Sequence, residues 1–416
     1  MNLGDPILTC AEAGAFEKTL FGGIEAREWP AMVAAGRAVA AAAAADFQEI
    51  GGFPAAGTIL VLAGKGNNGG DALIAALALL ERFPAARADV VFAFGERGLR
   101  PLAQRAWRDL AHAGRKRVAA VAAPGPGYDL CLDGIFGFQF RPPVPAAAAS
   151  LLQAVNALPV RLRGAVDLPS GLADGGKPGA AFRADFTYAT GSVKQPAIRE
   201  ENAEWVGRLR YLDLGFFRRG RAEGTAQILR SSLLEPLASL RSPQSDKRTY
   251  GHLLLVGGSR GYPGAILMSA LAAARSGAGF VTAAVPASLA PAYAARIPEV
   301  IWHGLPETRA GGLARRGRRL LAPLLERATA LALGPGLGRE KETLDLAGGL
   351  VKQSKIPLVI DADGLQPEIV RAGLAPRVLT PHRGEWQRIE KGKGGAKALQ
   401  RAVIVHKGRL TTVAGG

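Results

Sequence analysis

The sequence predicts an α/β protein built from two domains, each a parallel sheet with helices on both faces. The chain has 416 residues, a length typical of two domains. Short apolar runs typical of buried strands alternate with alanine- and leucine-rich stretches typical of helices, and this βαβ rhythm favours parallel sheets. Near residues 216–245 the rhythm gives way to charged and turn-forming residues, which indicates a linker.

The order of these runs sets the predicted domains: residues 1–220, a linker at 221–245, and residues 246–416. The first domain is expected to contain helices over residues 38–45 and 72–80 and strands over residues 58–63, 89–94, 128–132 and 162–168. The second is expected to contain a helix over residues 265–276 and strands over residues 252–256, 280–285, 328–333, 358–360, 378–380 and 402–405.

Composition limits the partners and the compartment. The net charge is +17, but the arginines are scattered. The densest run, residues 315–319, has no interleaved aromatic side chains, so we expect a solvated helix face and no nucleic acid. No apolar stretch reaches 18 residues, so we expect no membrane span. Cys10 and Cys131 suggest no disulfide framework, and no signal peptide is evident, so we expect a cytoplasmic protein.

The segment 64–71 carries the strongest functional signal. It joins a predicted strand to a predicted helix, and such a glycine-rich turn directs free N–H groups and the helix dipole at an anion. Its letters also fit the dinucleotide fingerprint Gly-x-Gly-x-x-Gly. Two asparagines and a closing aspartate, Asp71, add side-chain oxygens that a plain phosphate loop does not need.

Two further segments are expected to meet this turn. Asp133 and Asp167 each end a predicted strand, and the carboxyl ends of parallel strands share one edge of the sheet. Asn68, Asp133 and Ser170 are therefore expected to converge, and their hard oxygens with a single carboxylate suit a monovalent cation. Asp167 is then the candidate acid or base. Taken singly, each aspartate is equally compatible with a turn-capping role.

The segments 63–71, 133–137 and 166–171 resemble the N-terminal domain of bifunctional NAD(P)H-hydrate repair enzymes, over about residues 7–215. That domain is an NAD(P)H-hydrate epimerase with a Rossmann-like three-layer αβα fold, and it inverts C6 of the hydrated nicotinamide ring. The resemblance implies hydrated NADH or NADPH as substrate and K⁺ at Asn68, Asp133 and Ser170. It implies catalysis by Asp167 and substrate contacts at Asn67, Asn68, Gly69, Gly70, Asp71, Gly137, Phe138, Gln139, Phe140, Arg141, Pro142, Pro143 and Asp167.

Residues 250–416 resemble the partner domain, an ADP-dependent NAD(P)H-hydrate dehydratase with a ribokinase-like αβα fold. The matching segments are 256–265, 276–279, 333–338, 360–365, 380–385 and 406–408. The resemblance implies ADP or ATP with Mg²⁺, a nucleotide that phosphorylates the ring hydroxyl, and departure of the phosphate. It implies substrate contacts at Ala265, Gly336 and His382 and nucleotide contacts at Lys407, Gly408, Arg409, Leu410 and Thr411. Asp361 and Asp363 fit either Mg²⁺ or a turn.

Two departures from the family pattern change what is expected. Residues 137–141 read Gly-Phe-Gln-Phe-Arg, where bacterial members commonly have a Gly-Thr-Gly form. No Gly-Thr-Gly-Asp segment, which in the family supplies the anion hole and the catalytic base, follows residues 407–408. We therefore expect an incomplete, inactive dehydratase domain. Recovery of NADH from its hydrate on addition of ADP would contradict this expectation. A shortened or frame-shifted reading of the gene would give the same sequence.

Other functions remain open from the residues alone. An NAD-dependent dehydrogenase would need an acidic residue at the end of the second strand, whereas Asp89 begins that run and Glu96 comes late. A non-catalytic nucleotide-binding scaffold is a further alternative, and a small-molecule kinase is one for residues 250–416. The epimerase family is often dimeric, so a homo-oligomer is compatible with the sequence.

Overall fold

A computed structural model of the chain describes residues 4–176, 178–218, 226–392 and 399–415. The chain divides into two units, Met1–Ser239 and Leu240–Gly416, and this boundary falls inside the segment 221–245 predicted as a linker. Residues 221–225 of that segment lie outside the described residues. Residues 227–229 form a strand of the first unit instead of a free linker.

Most strands of the first unit form one parallel sheet. Seven strands pair in the order β4-β3-β2-β5-β6-β7-β9, and three more form a small sheet in the order β10-β1-β8. In chain order the strands are β1 Gly4–Leu8, β2 Thr58–Ala63, β3 Arg87–Phe92, β4 Val118–Ala120, β5 Tyr128–Gly134, β6 Val160–Val166, β7 Phe186–Thr190, β8 Val193–Lys194, β9 Arg208–Leu212 and β10 Gln227–Leu229.

Helices cover both faces of this sheet. They are α1 Cys10–Phe21, α2 Glu25–Asp46, α3 Asn67–Arg82, α4 Pro101–Gly114, α5 Ala146–Ala157, α6 Gln195–Ile198 and α7 Ala203–Val206. Strand β2 shows why two cores form. Ile59 and Val61 pack into the core under α2, α3 and α4, whereas Leu60 and Leu62 pack into the core under α5. A strand that is buried on both faces reads as a continuous apolar run, which is how this one was predicted.

The second unit contains an eight-stranded sheet in the order β13-β12-β11-β14-β15-β16-β17-β18, parallel except for β18. Its strands are β11 His252–Val256, β12 Phe280–Pro286, β13 Ile301–Leu305, β14 Ala330–Leu333, β15 Leu358–Ile360, β16 Arg377–Leu379, β17 Ala402–His406 and β18 Thr412–Gly415. Its helices are α8 Pro263–Arg275, α9 Ala290–Arg296, α10 Arg318–Arg327, α11 Lys341–Gln353, α12 Pro367–Val370 and α13 Arg383–Lys391. Separate cores lie under α8 and α9 and under α10 to α13.

The α/β class predicted from the sequence is therefore confirmed. Strands β2, β11 and β15 have the predicted bounds, and β3 lies two residues earlier than predicted. Strands β7 and β9 were not predicted. Among the described residues, none of the helices has both the length and the apolar character needed to cross a membrane. Cys10 and Cys131 are buried free thiols.

Candidate active site

The glycine-rich turn is shorter than predicted because the helix begins inside it. Strand β2 ends at Ala63 and α3 begins at Asn67, with Gly66 as the N-cap. A Cβ on Gly64 would lie 1.9 Å from the Ile135 carbonyl oxygen, so only glycine lets this turn pack against the loop after β5. The polar residues from Asn67 onward therefore occupy the first turn of a helix at the carboxyl edge of the sheet.

Helical spacing then separates two groups of side chains. Asn67 and Asp71 are four residues apart on α3 and so share one face, and both line the same cavity. Asn68 turns instead toward the loop after β5, where its Nδ2 donates to the Phe136 carbonyl oxygen at 2.9 Å. Gly69 and Gly70 are packed against Gly64 and Met32 and do not line the cavity.

The three predicted cation ligands lie around the same loop. The Ser170 hydroxyl donates to Asp133 Oδ1 at 2.7 Å, and the Ser170 N–H donates to Asp133 Oδ2 at 2.8 Å. The Phe136 N–H donates to Ser170 Oγ at 2.8 Å, and the Phe136 carbonyl oxygen lies 3.3 Å from the same Oγ. The Asn68 amide contacts the same carbonyl oxygen.

This donor set fits a monovalent cation. Asp133 is fully buried, and burial raises the pKa of its carboxyl to about 6 although hydrogen bonds from Ser170 and Ile135 oppose the rise. Within the described part of the chain, no Lys or Arg forms an ion pair with Asp133. A bound cation would compensate this carboxylate, and a half-turn of the Asn68 amide would present Oδ1 in place of Nδ2.

Asp167 lies in a buried ion pair that the sequence reasoning missed. Its backbone φ is +67°, and its Oδ1 accepts a hydrogen bond from the ammonium of Lys194. Both side chains are almost fully buried, with exposed fractions of 6% for Asp167 and 1% for Lys194. The ammonium also donates to the carbonyl oxygens of Thr190 at 3.2 Å and Ser192 at 3.1 Å. A lone lysine directly after the small-residue turn 189–193 was the available sequence signal.

A cavity of about 370 Å³ lies next to the Asp167–Lys194 pair, although neither residue of the pair lines it. Its lining includes Asn67, Asp71 and Gln139, together with Thr190, whose Oγ1 lies 3.4 Å from Asp167 Oδ1. Asp71 is buried, its Oδ1 has no hydrogen-bond partner, and burial raises its pKa well above the ordinary value. The volume of the cavity is within the range of about 300–1,000 Å³ that is usual for small-molecule sites.

The loop 137–143 contributes unevenly to this site. Gln139 lines the cavity, and the Phe138 ring lies 5.1 Å from the Lys194 ammonium. Gly137 packs against the Asn68 side chain. Phe140 is buried against Phe136, with ring centroids 4.6 Å apart. The remaining three predicted contacts are exposed and do not line the cavity: Arg141, Pro142 and Pro143.

In the second unit, the predicted residues form two pairs at the carboxyl edge of the sheet. A Cβ on Gly336 would lie 3.3 Å from the Ala265 Cβ, so these two residues are neighbours. His382 forms a parallel bridge with Lys407, and its Nδ1 accepts from the N–H of Gly384 at 3.0 Å, so His382 is also the N-cap of α13. None of the described contacts joins the two pairs directly.

The two aspartates have different partners, and Lys407 contacts only one of them. The Lys407 ammonium lies 2.7 Å from Asp361 Oδ1. Burial would raise the pKa of Asp361, but hydrogen bonds from Lys407 and Thr380 hold it below the ordinary value. Asp363 accepts from the Gly338 N–H at 3.1 Å and from Arg339 at 3.0 Å. The residues 408–411 form the turn that joins β17 to β18.

The two acidic residues that a dehydrogenase would use for the ribose have structural partners. Asp89 lies inside β3 and accepts from the Tyr128 hydroxyl at 2.7 Å. Glu96 accepts from the Trp107 indole N–H at 2.9 Å. Neither residue lines the cavity.

Comparison with known proteins gives consistent matches to both units. A family model described as YjeF-related protein N-terminus matches residues 30–196, and one described as NAD(P)H-hydrate dehydratase matches residues 253–414. A bifunctional NAD(P)H-hydrate repair enzyme of Gloeobacter violaceus is 39% identical over 412 residues, covering 92% of this chain and 77% of its own length. One of Moorella thermoacetica is 34% identical, covering 86% of this chain and 72% of its own length.

Among solved structures, the chain is similar to an ADP/ATP-dependent NAD(P)H-hydrate dehydratase of Bacillus subtilis co-crystallized with ATP/Mg²⁺. The identity is 28% and the TM-score is 0.36, with 44% of this chain and 67% of that chain covered.

Proposed function

Because this chain belongs to the family of bifunctional NAD(P)H-hydrate repair enzymes, we propose that its first unit interconverts the R and S epimers of hydrated NADH and NADPH in the cavity beside Asp167. The name of the relatives and the two matched family models give the chain a repair function on hydrated NAD(P)H. They do not favour a dehydrogenase or a scaffold, and the structural roles of Asp89 and Glu96 also count against a dehydrogenase.

One observation carries the proposal: the buried Asp167–Lys194 pair contacts Thr190, and Thr190 lines the same cavity as Asn67 and Asp71. A carboxylate beside a cavity has the chemistry to move a proton to or from a bound hydroxyl or water. Asp71 lines the cavity and is placed to contact the substrate there. Incubation of one purified epimer with the protein, followed by chromatographic separation of R and S hydrates, tests this function.

We further propose K⁺ as the cation at Asn68, Asp133 and Ser170. These residues and the Phe136 carbonyl oxygen would hold it, and the ion would supply positive charge at the helix start where the dinucleotide binds. Since the Phe136 loop continues into Gln139, an ordered cation site would also fix the wall of the cavity.

This cation site predicts a K⁺-specific stabilisation of the folded protein. Free KCl at tenfold its dissociation constant should add about 1.4 kcal/mol to the free energy of unfolding. For a unit of this size, such an increment raises the melting temperature by about 3–6 °C. Differential scanning fluorimetry in KCl and in choline chloride at equal ionic strength measures the increment.

Asp133→Asn should abolish that difference, because it removes the only carboxylate of the donor set. Asp109→Asn, at an exposed position on α4, is the control and should keep the wild-type difference. An Asp133→Asn protein that still responds to K⁺ as the wild type does would exclude the proposed ligand set.

For the second unit we propose a nucleotide site at Lys407 and residues 408–411. On binding, the Lys407 ammonium would exchange the Asp361 carboxylate for a nucleotide phosphate. Lys407→Met should weaken ADP binding about tenfold or more, because a hydrogen bond to a charged group contributes about 1.5–3 kcal/mol. Isothermal titration calorimetry with ADP measures the change.

Lys352→Met provides the matched control for this experiment. Lys352 is exposed in the last turn of α11, before β15 begins, and therefore lies at the amino edge of the sheet. Its replacement should leave ADP affinity unchanged. Equal affinities in the two variants would remove Lys407 from the nucleotide site.

A further inference from the structure

Glu17 reaches the cavity from a part of the chain that carries none of the predicted site residues. It lies on α1, and it lines the same cavity as Asp71 and Thr190. The helix is held in place at both ends. Asp174 accepts from the N–H groups of Cys10 at 2.7 Å and Ala11 at 3.2 Å, which caps the first turn.

Aromatic contacts hold the rest of α1. Phe16 stacks on Phe217 with ring centroids 4.8 Å apart, and Phe21 meets Phe216 edge to face at 5.4 Å. Glu17 lies between Phe16 and Phe21 in sequence. The contacts of these two rings therefore fix Glu17 over the cavity.

Charged groups from each neighbouring element surround the Glu17 carboxyl. They are Lys18 of α1, Glu28 of α2, Asp71 of α3, and the Asp167–Lys194 pair at the sheet edge. Burial raises the pKa of Glu17 to about 7, Lys194 opposes the rise, and Asp167 and Glu28 add to it. Near neutral pH a substantial fraction of Glu17 is therefore a neutral acid, whereas Asp167 is ion-paired with Lys194.

We propose that Glu17 is a second catalytic residue of the epimerase site and acts as the acid that is paired with Asp167 as the base. This assignment depends on the proposed function of the first unit. It gives the inversion of C6 two proton-transfer groups from different layers of the fold: Glu17 lines the cavity from helix α1, and Asp167 lies at the sheet edge behind the lining residue Thr190.

The chemistry balances with water as the only co-reactant. The C6–O bond breaks with its electron pair going to oxygen, which takes the Glu17 proton and leaves as water. The ring nitrogen lone pair forms a C=N bond to C6. A water molecule then attacks C6 from the opposite face, the π electrons return to nitrogen, and Asp167 accepts the proton of the new hydroxyl. The reverse epimerisation exchanges the two roles.

The pH dependence of the wild-type enzyme follows from this assignment. The productive free enzyme carries one proton on the Glu17–Asp167 pair. When Glu17 loses this proton, no acid is left to protonate the departing hydroxyl group. Since the pKa of Glu17 is about 7, kcat/KM should fall as pH rises through this value. Because the equilibrium between the R and S epimers does not depend on pH, the Haldane relation requires kcat/KM to fall in the same way in both directions.

Glu17→Gln should lower kcat by about 100-fold or more, the lower end of what general acid–base catalysis contributes. It should also remove the fall of kcat/KM near pH 7. Glu25→Gln is the matched control, because Glu25 is exposed at the start of α2 and does not line the cavity. It should keep the wild-type rate and pH profile.

The outcomes separate this inference from the proposed function. If the wild type does not interconvert the epimers, the proposed function fails. If the wild type is active and Glu17→Gln keeps both its kcat and its fall near pH 7, only the role of Glu17 is excluded. If circular dichroism shows that Glu17→Gln does not fold, Glu17→Asp decides: a lower kcat with the fall retained supports the role, and wild-type kcat overturns it.

Discussion

Asp167→Asn should lower kcat for epimer interconversion by about 10²–10⁴-fold, the range that general acid–base catalysis contributes. Asparagine has the same shape, and it tolerates the left-handed backbone that Asp167 adopts at φ +67° better than most residues. Its amide oxygen still accepts from Lys194 but cannot take a proton from water. Affinity for the hydrate should therefore remain within about threefold of the wild type, a change of less than about 0.7 kcal/mol.

Kinetics by proton NMR and affinity by calorimetry check this prediction on the same preparation. Asp109→Asn, an exposed aspartate on α4, is again the control and should leave both quantities unchanged. A variant at Asp167 that retained the wild-type kcat would mean that the buried pair is structural and that another group moves the proton.

Lys194→Met should produce the largest loss of stability of any single change considered. Methionine fills a similar volume but leaves the Asp167 carboxylate buried without its partner. Breaking a buried ion pair in this way reduces the free energy of unfolding by about 3–5 kcal/mol. Urea denaturation followed by circular dichroism measures the loss, and activity should fall because Asp167 would lose the ammonium group that holds it in place beside the cavity.

The double variant Asp167→Asn with Lys194→Met distinguishes an ion pair from ordinary packing. With both charges removed, no buried charge remains, so the double variant should be more stable than the sum of the two single losses predicts. It should still be inactive. Strictly additive losses would show that the two side chains do not interact in the folded protein.

The sequence was sufficient to predict the part of the site that is local in the chain. Asn68 and Ser170 follow strands β2 and β6, Asp133 lies at the end of β5, and these strands are recognisable from their apolar residues. Once the strands are placed in a parallel sheet, their carboxyl ends share an edge, and the three residues must come close together. The structure shows this convergence around Phe136.

Lys194 and Glu17 could not be found in this way, because their place depends on tertiary packing. Lys194 follows β7, a strand that was not predicted, and its ammonium turns inward only because Asp167 and two carbonyl groups receive it. Glu17 lies on α1, near the start of the chain, in a segment that carries no recognisable motif. The aromatic contacts of α1 with residues 216–217 and the cap from Asp174 place it over the cavity.

The most direct test of the central claim is the rate at which pure R hydrate of NADH converts to the S hydrate, followed by proton NMR in buffered KCl. The wild-type protein should bring the epimers to equilibrium much faster than buffer alone. At the same concentration, the rate with Asp167→Asn should exceed the buffer rate by no more than a few per cent of the wild-type rate. Equal rates for wild type and buffer would contradict the assignment of the first unit as an epimerase.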